Sequence, residues 1–271
     1  MTASTSLGTA LVTGASSGIG AVYADRLAHR GYDLILVARN RERLETLAKR
    51  LRRETGRSVE ILAADFATAK GVAAVEAELS TNASITVLVN NAGVGATAPL
   101  LGSDVNQMEA LITLNITAFT RLTYAAVPAF VARGSGTLIN IASIVAIIPE
   151  LLNGVYAGSK AFVLALSQSL RNELAEKGVR VQAVLPGATD TELWDKAGFP
   201  VSNLPADWVM GVEDMVDAAL SGLDLGEFVT IPSLPDSTAW DAYDAQRQAL
   251  RPGLSRTQPA ERYRTATAIG A

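Results

Sequence analysis

The sequence predicts an α/β fold in which a doubly wound parallel β-sheet of about seven strands carries helices on both faces. Short runs rich in Val, Ile and Leu alternate with longer segments that have the helical spacing of apolar residues. Continuous apolar runs are typical of strands buried on both faces of a parallel sheet. Strict alternation with right-handed crossovers then distributes the helices over the two faces. A hydrophobic content of 49% over 271 residues is enough for one large core.

Seven apolar runs are predicted strands, and six segments between them are predicted helices. The strands are residues 9–13, 33–38, 59–63, 87–90, 137–141, 179–185 and 228–231. The helices are residues 18–30, 41–55, 68–79, 106–131, 155–177 and 212–223. Each strand is too short for a helix, and each helix shows apolar residues three or four positions apart.

Two regions break this alternation. Residues 186–214 combine Pro, Gly and aromatic residues without periodicity, which predicts a long loop with one or two short helices. Long loops in compact domains are usually functional, so a lid is expected around residues 187–214. Residues 1–232, which contain every predicted strand, are predicted to form the main domain. Residues 233–271 are predicted to be an extension, with a helix near 239–250 and a surface tail.

Composition excludes several classes of function. A net charge of −4 argues against a nucleic-acid surface, which needs clustered Lys and Arg. The chain has no Cys and one His, so thiolate metal sites are excluded, His-based metal sites become hard to build, and no metal is expected. Neither a signal peptide nor an uncharged run long enough to span a bilayer is apparent. These features predict a cytoplasmic protein that binds neither membrane nor nucleic acid.

A Gly-rich turn, LVTGASSGIG, joins the first predicted strand to the first helix. Gly14, Gly18 and Gly20 allow a tight turn and a close approach of the backbone to a pyrophosphate, which meets the N–H groups of the helix start. This arrangement is typical of a Rossmann-like nucleotide site. The same letters also fit the nucleophile elbow of a hydrolase, with Ser16 as nucleophile. His29 lies roughly 16 Å further along that helix at ~1.5 Å per residue, too far to activate Ser16.

The end of the second strand indicates which dinucleotide is bound. An acidic residue there would bind the 2′-hydroxyl of NAD. This chain instead has VARNR, in which Arg39 follows Ala38. A guanidinium suits a 2′-phosphate, whereas a carboxylate repels it. The predicted cofactor is therefore NADP (NADPH).

Tyr156 and Lys160 lie four positions apart in YAGSK and share one face of a helix. A tyrosine transfers protons poorly near neutral pH unless its phenolate is stabilised, and a nearby ammonium is expected to lower its pKa. Ser143 can donate a hydrogen bond to a substrate oxygen as charge develops there. Since a nicotinamide supplies the hydride, the protein has only to orient, polarise and transfer a proton.

In order and spacing, these motifs resemble those of the short-chain dehydrogenase/reductase family over roughly residues 7–232. The matching pieces are TGASSGIG, ADF at Asp65, NNAG from Asn90, Asn115, Ser143, YAGSK and PGATDT from Pro186. The resemblance implies an oxidoreductase with catalytic Asn115, Ser143, Tyr156 and Lys160. It implies that residues 1–232 are a Rossmann-fold dinucleotide-binding and catalytic domain, with a substrate lid around residues 187–214. It implies a nucleotide site of Gly14, Ser16, Ser17, Gly18, Ile19, Gly20, Arg39, Asp65, Asn91, Ala92, Gly93, Tyr156, Lys160, Pro186, Gly187, Thr189 and Thr191. Gly158 departs from the Ala usual in the family.

Some roles follow from the resemblance alone. Lys160 is expected to bond the nicotinamide ribose, and Asn115 to hold its helix open for a proton-relaying water chain. Asp65 is expected to contact adenine. Thr189 and Thr191 are expected to bond the nicotinamide amide or the diphosphate. The resemblance also implies a homotetramer or homodimer built through the helices at 106–131 and 155–177.

The expected substrate is a small molecule, namely an apolar carbonyl compound or secondary alcohol. Residues 144–155 contain no Lys or Arg to bind a carboxylate, and the surrounding segments are apolar. The apolar side chains are Val145, Ile147, Ile148, Leu151, Leu152, Trp194, Phe199 and Trp208. They could equally pack the lid and a subunit interface. Two other functions stay open: a non-catalytic NADP-binding regulator, and an epimerase that uses the same site.

Overall fold

The computed structural model describes residues 7–263 and confirms the doubly wound α/β fold. The seven strands are β1 (Thr9–Thr13), β2 (Asp33–Ala38), β3 (Val59–Ala63), β4 (Ile85–Asn90), β5 (Gly136–Ile141), β6 (Val179–Val184) and β7 (Val229–Thr230). The α-helices are α1 (Gly18–His29), α2 (Arg41–Thr55), α3 (Ala69–Thr81), α4 (Val105–Ile112), α5 (Phe119–Arg133), α6 (Gly154–Leu174), α7 (Leu193–Lys196), α8 (Val212–Asp224) and α9 (Thr238–Ala249).

The sheet is parallel throughout, in the order β3-β2-β1-β4-β5-β6-β7. From β1 the chain winds outward to β2 and β3, returns to β4, and then winds outward in the other direction to β7. The two halves of the fold therefore diverge between β1 and β4. Such a switch point opens a crevice at the carboxyl ends of the central strands, where ligands bind in open α/β sheets.

Two apolar layers bury the faces of the sheet. Alternate residues of β1 point to opposite layers, with Val12 in one cluster and Leu11 in the other. Helices α1, α2 and α8 cover the first face, and their largest fully buried side chain is Tyr23. Helices α3, α5 and α6 cover the second, where Leu122 and Phe130 are fully buried. This burial on both faces explains why the strands appear as unbroken apolar runs.

The prediction of a single regular helix over residues 106–131 is wrong in one respect. Helices α4 and α5 are separated by a π-helical segment, Thr113–Ala118, in which the backbone carries an extra residue per turn. Apolar periodicity does not register such a local widening, because it shifts the pattern by only one position. The segment predicted to be a lid, residues 187–214 and called the lid below, contains α7 and two 3₁₀ turns, Val201–Asn203 and Ala206–Trp208. The sequence predicts it to be mostly loop.

One helical stretch, Val105–Arg133, is long and apolar enough to cross a membrane by length and composition, with a mean hydropathy of 1.2. Helices that pack in a protein core often meet the same criterion. Leu122, Ala126 and Phe130 of this stretch pack in the cluster beneath the sheet. The stretch is therefore only weak evidence for a membrane span.

The chain divides after Ser233 into two compact units. The first contains the whole sheet. The second contains α9, where the rings of Trp240 and Tyr243 lie 5.5 Å apart between centroids. Of the tail predicted at the C-terminus, residues 264–271 lie outside the described residues.

Gly158 provides a stability test. It lies inside α6, it is exposed, and a Cβ added there would meet no atom within 4 Å. Glycine in a helix interior costs about 1 kcal/mol relative to alanine because it loses more backbone entropy on folding. We expect Gly158→Ala to raise the free energy of unfolding in urea by about 0.5–1 kcal/mol.

The matched control is Gly20→Ala in α1. A Cβ at Gly20 would lie 2.4 Å from the carbonyl oxygen of Gly14, so this variant should be destabilised. A loss of stability in Gly158→Ala would contradict the open surroundings that the structure gives this position.

Candidate active site

The turn between β1 and α1 is held in a conformation that needs glycine. Gly18 has φ of +52°, which L side chains rarely adopt. Its missing Cβ would lie 3.2 Å from the Cγ2 atom of Thr191, so the lid passes directly over the turn. Ser16, Ser17 and Ile19 are all half-buried here. The turn and the start of the lid therefore enclose one narrow space.

The end of β4 is fastened to the end of β1 by a single hydroxyl. Thr13 Oγ1 accepts hydrogen bonds from the backbone N–H of Asn91 at 2.9 Å and of Ala92 at 3.0 Å, and donates to Val89 O at 3.1 Å. The Asn91 side chain also donates to Thr13 O at 2.8 Å. These bonds hold the NNAG segment beside the Gly-rich turn.

Arg39 and Asp65 follow two neighbouring strands, β2 and β3, at the same sheet edge. Arg39 is exposed and makes no hydrogen bond or ion pair within residues 7–263. Asp65 is half-buried and accepts a hydrogen bond from the N–H of Ala67 at 3.0 Å. The structure therefore leaves the Arg39 guanidinium free at the edge where the sequence analysis predicts the adenosine end of a nucleotide.

Ser143, Tyr156 and Lys160 come together in a buried place. The three residues are exposed by only 8%, 6% and 7%. Lys160 Nζ donates to Ile141 O, the last residue of β5, at 2.9 Å, and lies 5.9 Å from the centre of the Tyr156 ring. Ser143 accepts from Val145 N and donates to Pro186 O, both at 3.4 Å. The predicted grouping of these side chains is therefore present in the geometry.

The pKa values of this group differ from the sequence expectation. Burial raises the pKa of Tyr156 to about 12, and a hydrogen bond with Ser143 lowers it by less. Burial lowers the pKa of Lys160 to about 8. The expected lowering of the tyrosine pKa by the ammonium is not found, because desolvation of the phenolate is the larger effect.

Asn115 lies in the π-helical segment and joins it to the NNAG loop. Its Oδ1 accepts from Val94 N at 3.0 Å, and its Nδ2 donates to Val94 O at 2.9 Å and to Ser159 Oγ at 3.1 Å. Ser159 Oγ in turn donates to the carbonyl of Tyr156 at 2.7 Å. Asn115 is thus tied through its side chain to both the loop and α6.

Asn153 starts α6 and fixes a neighbouring loop, a role that the sequence analysis does not identify. Its Oδ1 accepts from Val155 N at 2.9 Å, and its Nδ2 donates to Ala98 O at 2.7 Å and to Ser103 Oγ at 3.0 Å. An Asn just before a helix is a known capping signal, so the cap could have been found from the sequence. The bond to Ala98, 55 residues away, could not.

The first part of the lid, residues 189–197, is held at several points. Thr189 forms an isolated parallel bridge with Met210, which joins the two ends of the lid. Trp194 Nε1 donates to Thr189 O at 3.0 Å. Thr97 Oγ1 donates to Ala197 O at 2.8 Å, which connects the lid to the loop after NNAG. Pro186 is buried and Gly187 is half-buried at the start of this segment.

Apolar side chains surround the Tyr156 ring. Tyr156 forms a buried cluster with Ala96, Leu111 and Val145, and other hydrophobic side chains pack against it. The packed residues are Val94, Met108, Ile144, Leu152 and Val155. Of the side chains predicted to line the pocket, Ile148, Leu151 and Trp208 are instead exposed by 47%, 52% and 66%.

Comparison with known proteins gives the family. Residues 8–198 match the family described as short chain dehydrogenase. The chain belongs to the short-chain dehydrogenase family. Over the described residues, no group of three or more His, Asp or Glu could hold a metal ion in this oxidoreductase.

Several solved structures are similar over nearly the whole chain, two of which are as follows. A short-chain dehydrogenase from Sphingobium yanoikuyae in complex with NADPH is 50% identical, with a TM-score of 0.92 and coverage of 95% of this chain and 100% of that one. A bulky-bulky ketone specific alcohol dehydrogenase from Comamonas testosteroni is 44% identical, with a TM-score of 0.88 and coverage of 96% and 100%. The very-long-chain 3-oxoacyl-CoA reductase-B of Danio rerio is 33% identical over 220 residues, 80% of this chain and 68% of that protein.

The residues of this short-chain dehydrogenase fit a dinucleotide. Ser17, the residue before α1, makes no side-chain capping bond, and the first turn of α1 has no acidic residue. By contrast, side chains cap α2, α3, α4 and α6. The first N–H groups of α1 therefore stay available to a phosphate. The sequence gives no signal for this absence of a cap, since serine usually provides one.

The buried lysine should make stability depend on pH. Its pKa is lowered from 10.5 to about 8 in the folded chain, so the unfolded chain binds the proton more strongly between these values. Stability therefore rises with pH over this range. We expect the unfolding free energy of the wild type, relative to Lys160→Met, to increase by about 2–3 kcal/mol between pH 7 and pH 10.

Denaturation in urea at several pH values measures this difference. The contributions of all other titrating groups are the same in the wild type and in Lys160→Met, so they cancel. The control is Lys177→Met, since Lys177 is exposed. A difference between wild type and Lys160→Met that stays constant with pH would contradict the lowered pKa.

Proposed function

We propose that this protein is an NADP(H)-dependent oxidoreductase that interconverts a ketone or aldehyde and an alcohol. The main support is that Ser143, Tyr156 and Lys160 are buried close together at the edge of the sheet where the Gly-rich turn lies. Family membership supports an oxidoreductase, and a relative at 50% identity is described with NADPH.

The proton-transfer chemistry is proposed for three side chains. Tyr156 donates its phenolic proton to the substrate oxygen during reduction and accepts it during oxidation. Ser143 donates a hydrogen bond to the same oxygen and so stabilises the charge that develops there. Lys160 is mostly protonated at neutral pH despite its lowered pKa of about 8, so its charge stabilises the phenolate that forms. When bound, the nicotinamide supplies or accepts the hydride.

Burial is central to this proposal. Exclusion of water destabilises the charged phenolate, which is the reason that the pKa of Tyr156 is raised. A tyrosine that strongly favours its protonated form is a ready proton donor to an alkoxide. The site is therefore suited to carbonyl reduction, and oxidation requires the positive charge of Lys160 to be present.

A bulky apolar carbonyl compound is the proposed substrate. The cluster around Tyr156 is apolar, and no Lys or Arg lies between residues 144 and 155. Two relatives act on large substrates by their descriptions, a bulky-bulky ketone and a very-long-chain 3-oxoacyl-CoA. An apolar pocket binds such groups mainly through the surface removed from water.

NADP rather than NAD is proposed from the charge at the end of β2. The guanidinium of Arg39 is exposed and unpaired within the described chain. A free guanidinium can bind a 2′-phosphate with two parallel hydrogen bonds. The homotetramer or homodimer and the cytoplasmic location stay predictions.

The first test replaces the proton donor. We expect Tyr156→Phe to lower kcat for NADPH-dependent reduction of hydrophobic ketones at least about 100-fold, because general acid catalysis contributes 10²–10⁴-fold. Its affinity for NADPH should change little. Loss of NADPH absorbance with a panel of hydrophobic ketones and small charged keto acids measures turnover.

The control is Tyr124→Phe, which removes an exposed hydroxyl on α5. Wild-type rates in Tyr156→Phe would remove the mechanism, and faster turnover of charged keto acids would remove the substrate class. Product formation without net consumption of NADPH would favour an epimerase instead.

The second test reverses the charge at the end of β2. Arg39→Asp should repel the 2′-phosphate and accept the 2′-hydroxyl of NADH, so the ratio of kcat/KM for NADPH to that for NADH should fall by about tenfold or more. Arg41→Asp changes the net charge equally two residues away and should leave the ratio close to wild type. An unchanged ratio in Arg39→Asp would contradict the proposed preference.

A further inference from the structure

An ion pair joins the first turn of α2 to the start of the lid. Arg43 Nη1 lies 2.9 Å from one carboxylate oxygen of Glu192 and 3.0 Å from the other. Lys196 Nζ lies 2.7 Å from the same carboxylate. Arg43 and Glu192 are 149 positions apart in the chain, so the pair links two elements that come from opposite halves of the sheet.

One member of the pair, Arg43, lines a cleft beside the Gly-rich turn. The cleft of about 470 Å³ is lined by Ser16 from the Gly-rich turn, by Asn40 and by Arg43. Thr191, the residue before Glu192, packs over Gly18, where an added Cβ would lie 3.2 Å from its Cγ2 atom. The Arg43–Glu192 pair therefore spans from one wall of this cleft to the segment that covers the turn.

Helix α7 is held by hydrogen bonds and ion pairs more than by buried apolar side chains. Helix α7 has no buried residue, whereas every other α-helix of the sheet domain buries at least one. The ion pairs Arg26–Asp217 and Arg30–Asp224 also join two elements, but they link α1 to α8, which the apolar core already packs together. At α7 no buried side chain supports the pair, which acts together with the bond of Thr97 to Ala197.

We infer that Arg43 and Glu192 are positioning residues that fasten the lid across the adenosine half of a bound dinucleotide and slow its release. The inference rests on the proposed function, since it requires that a dinucleotide lies between the turn and the lid. It differs from a direct role in recognising the 2′-phosphate. A fastening acts on NADPH and NADH alike and needs both charges, whereas a phosphate ligand acts on NADPH alone and does not need Glu192.

Dissociation rates of NADPH and NADH, measured by stopped-flow fluorescence, test the inference. Arg43→Ala and Glu192→Gln should each release both dinucleotides about 2- to 5-fold faster, because an exposed ion pair contributes only modestly. The exchanged pair Arg43→Glu with Glu192→Arg should restore slow release. Higher salt should accelerate release from the wild type more than from Glu192→Gln.

Arg41→Ala is the matched control, because Arg41 belongs to the same helix turn and pairs at 3.2 Å with Glu45 of its own helix. It should behave as the wild type. A second readout needs no nucleotide: the backbone amides of residues 193–197 should exchange hydrogen faster in Glu192→Gln than in Arg41→Ala.

Three results would overturn the inference. They are wild-type release rates in both single variants, an effect of Arg43→Ala on NADPH alone, and no rescue in the exchanged pair. A wild type that binds neither dinucleotide would instead overturn the proposed function. The two failures are therefore distinguishable.

Discussion

The parallel pairing of β1 with β4 is the contact on which the rest of the site depends. These two strands are neighbours in space although two strands and three helices separate them in the chain. Their carboxyl ends meet, so the Gly-rich turn and the NNAG segment lie side by side. The Thr13 hydroxyl secures this meeting with three hydrogen bonds, and without it the backbone N–H of Ala92 would lose its acceptor.

Polar side chains at the ends of the strands are buried at a high energetic cost, and the structure satisfies them through one another. Asn90 Nδ2 donates to Asn140 Oδ1 at 3.1 Å, and Asn140 Nδ2 donates to Ser167 Oγ at 2.9 Å. This chain of bonds links β4, β5 and α6. Because buried polar groups tolerate few alternative arrangements, the network also fixes how α6 lies on the sheet.

The sequence was sufficient for the sheet because burial on both faces leaves a strong apolar signal. Three strands and helix α2 begin and end where the pattern predicts. The π-helical segment was not predictable in this way, since an extra residue in one turn hardly changes the apolar spacing. Asn115 could be singled out only through the family resemblance.

Contacts between distant segments were also beyond the sequence. The pair of Arg43 with Glu192 and the bond of Thr97 to Ala197 depend on how the lid folds back, which no local pattern encodes. The pKa of Tyr156 shows a different limit. Four-residue spacing indicates that a lysine is near, but the balance between its charge and desolvation depends on burial, which only the structure supplies.

Asn153 has a consequence for how this fold can change its substrates. Its side chain caps α6 three residues before Tyr156 and bonds to the loop at Ala98. Because Asn153 follows the segment 144–152 in the chain, the rotation of α6 about its axis is fixed by contacts outside that segment. The position of Tyr156 and Lys160, the pair proposed to transfer the proton, is thus fixed from outside this segment, although Val145 and Leu152 pack around the Tyr156 ring. The exposed side chains of the segment, such as Ile148 and Leu151, are therefore free to change while the proposed chemistry keeps the same geometry.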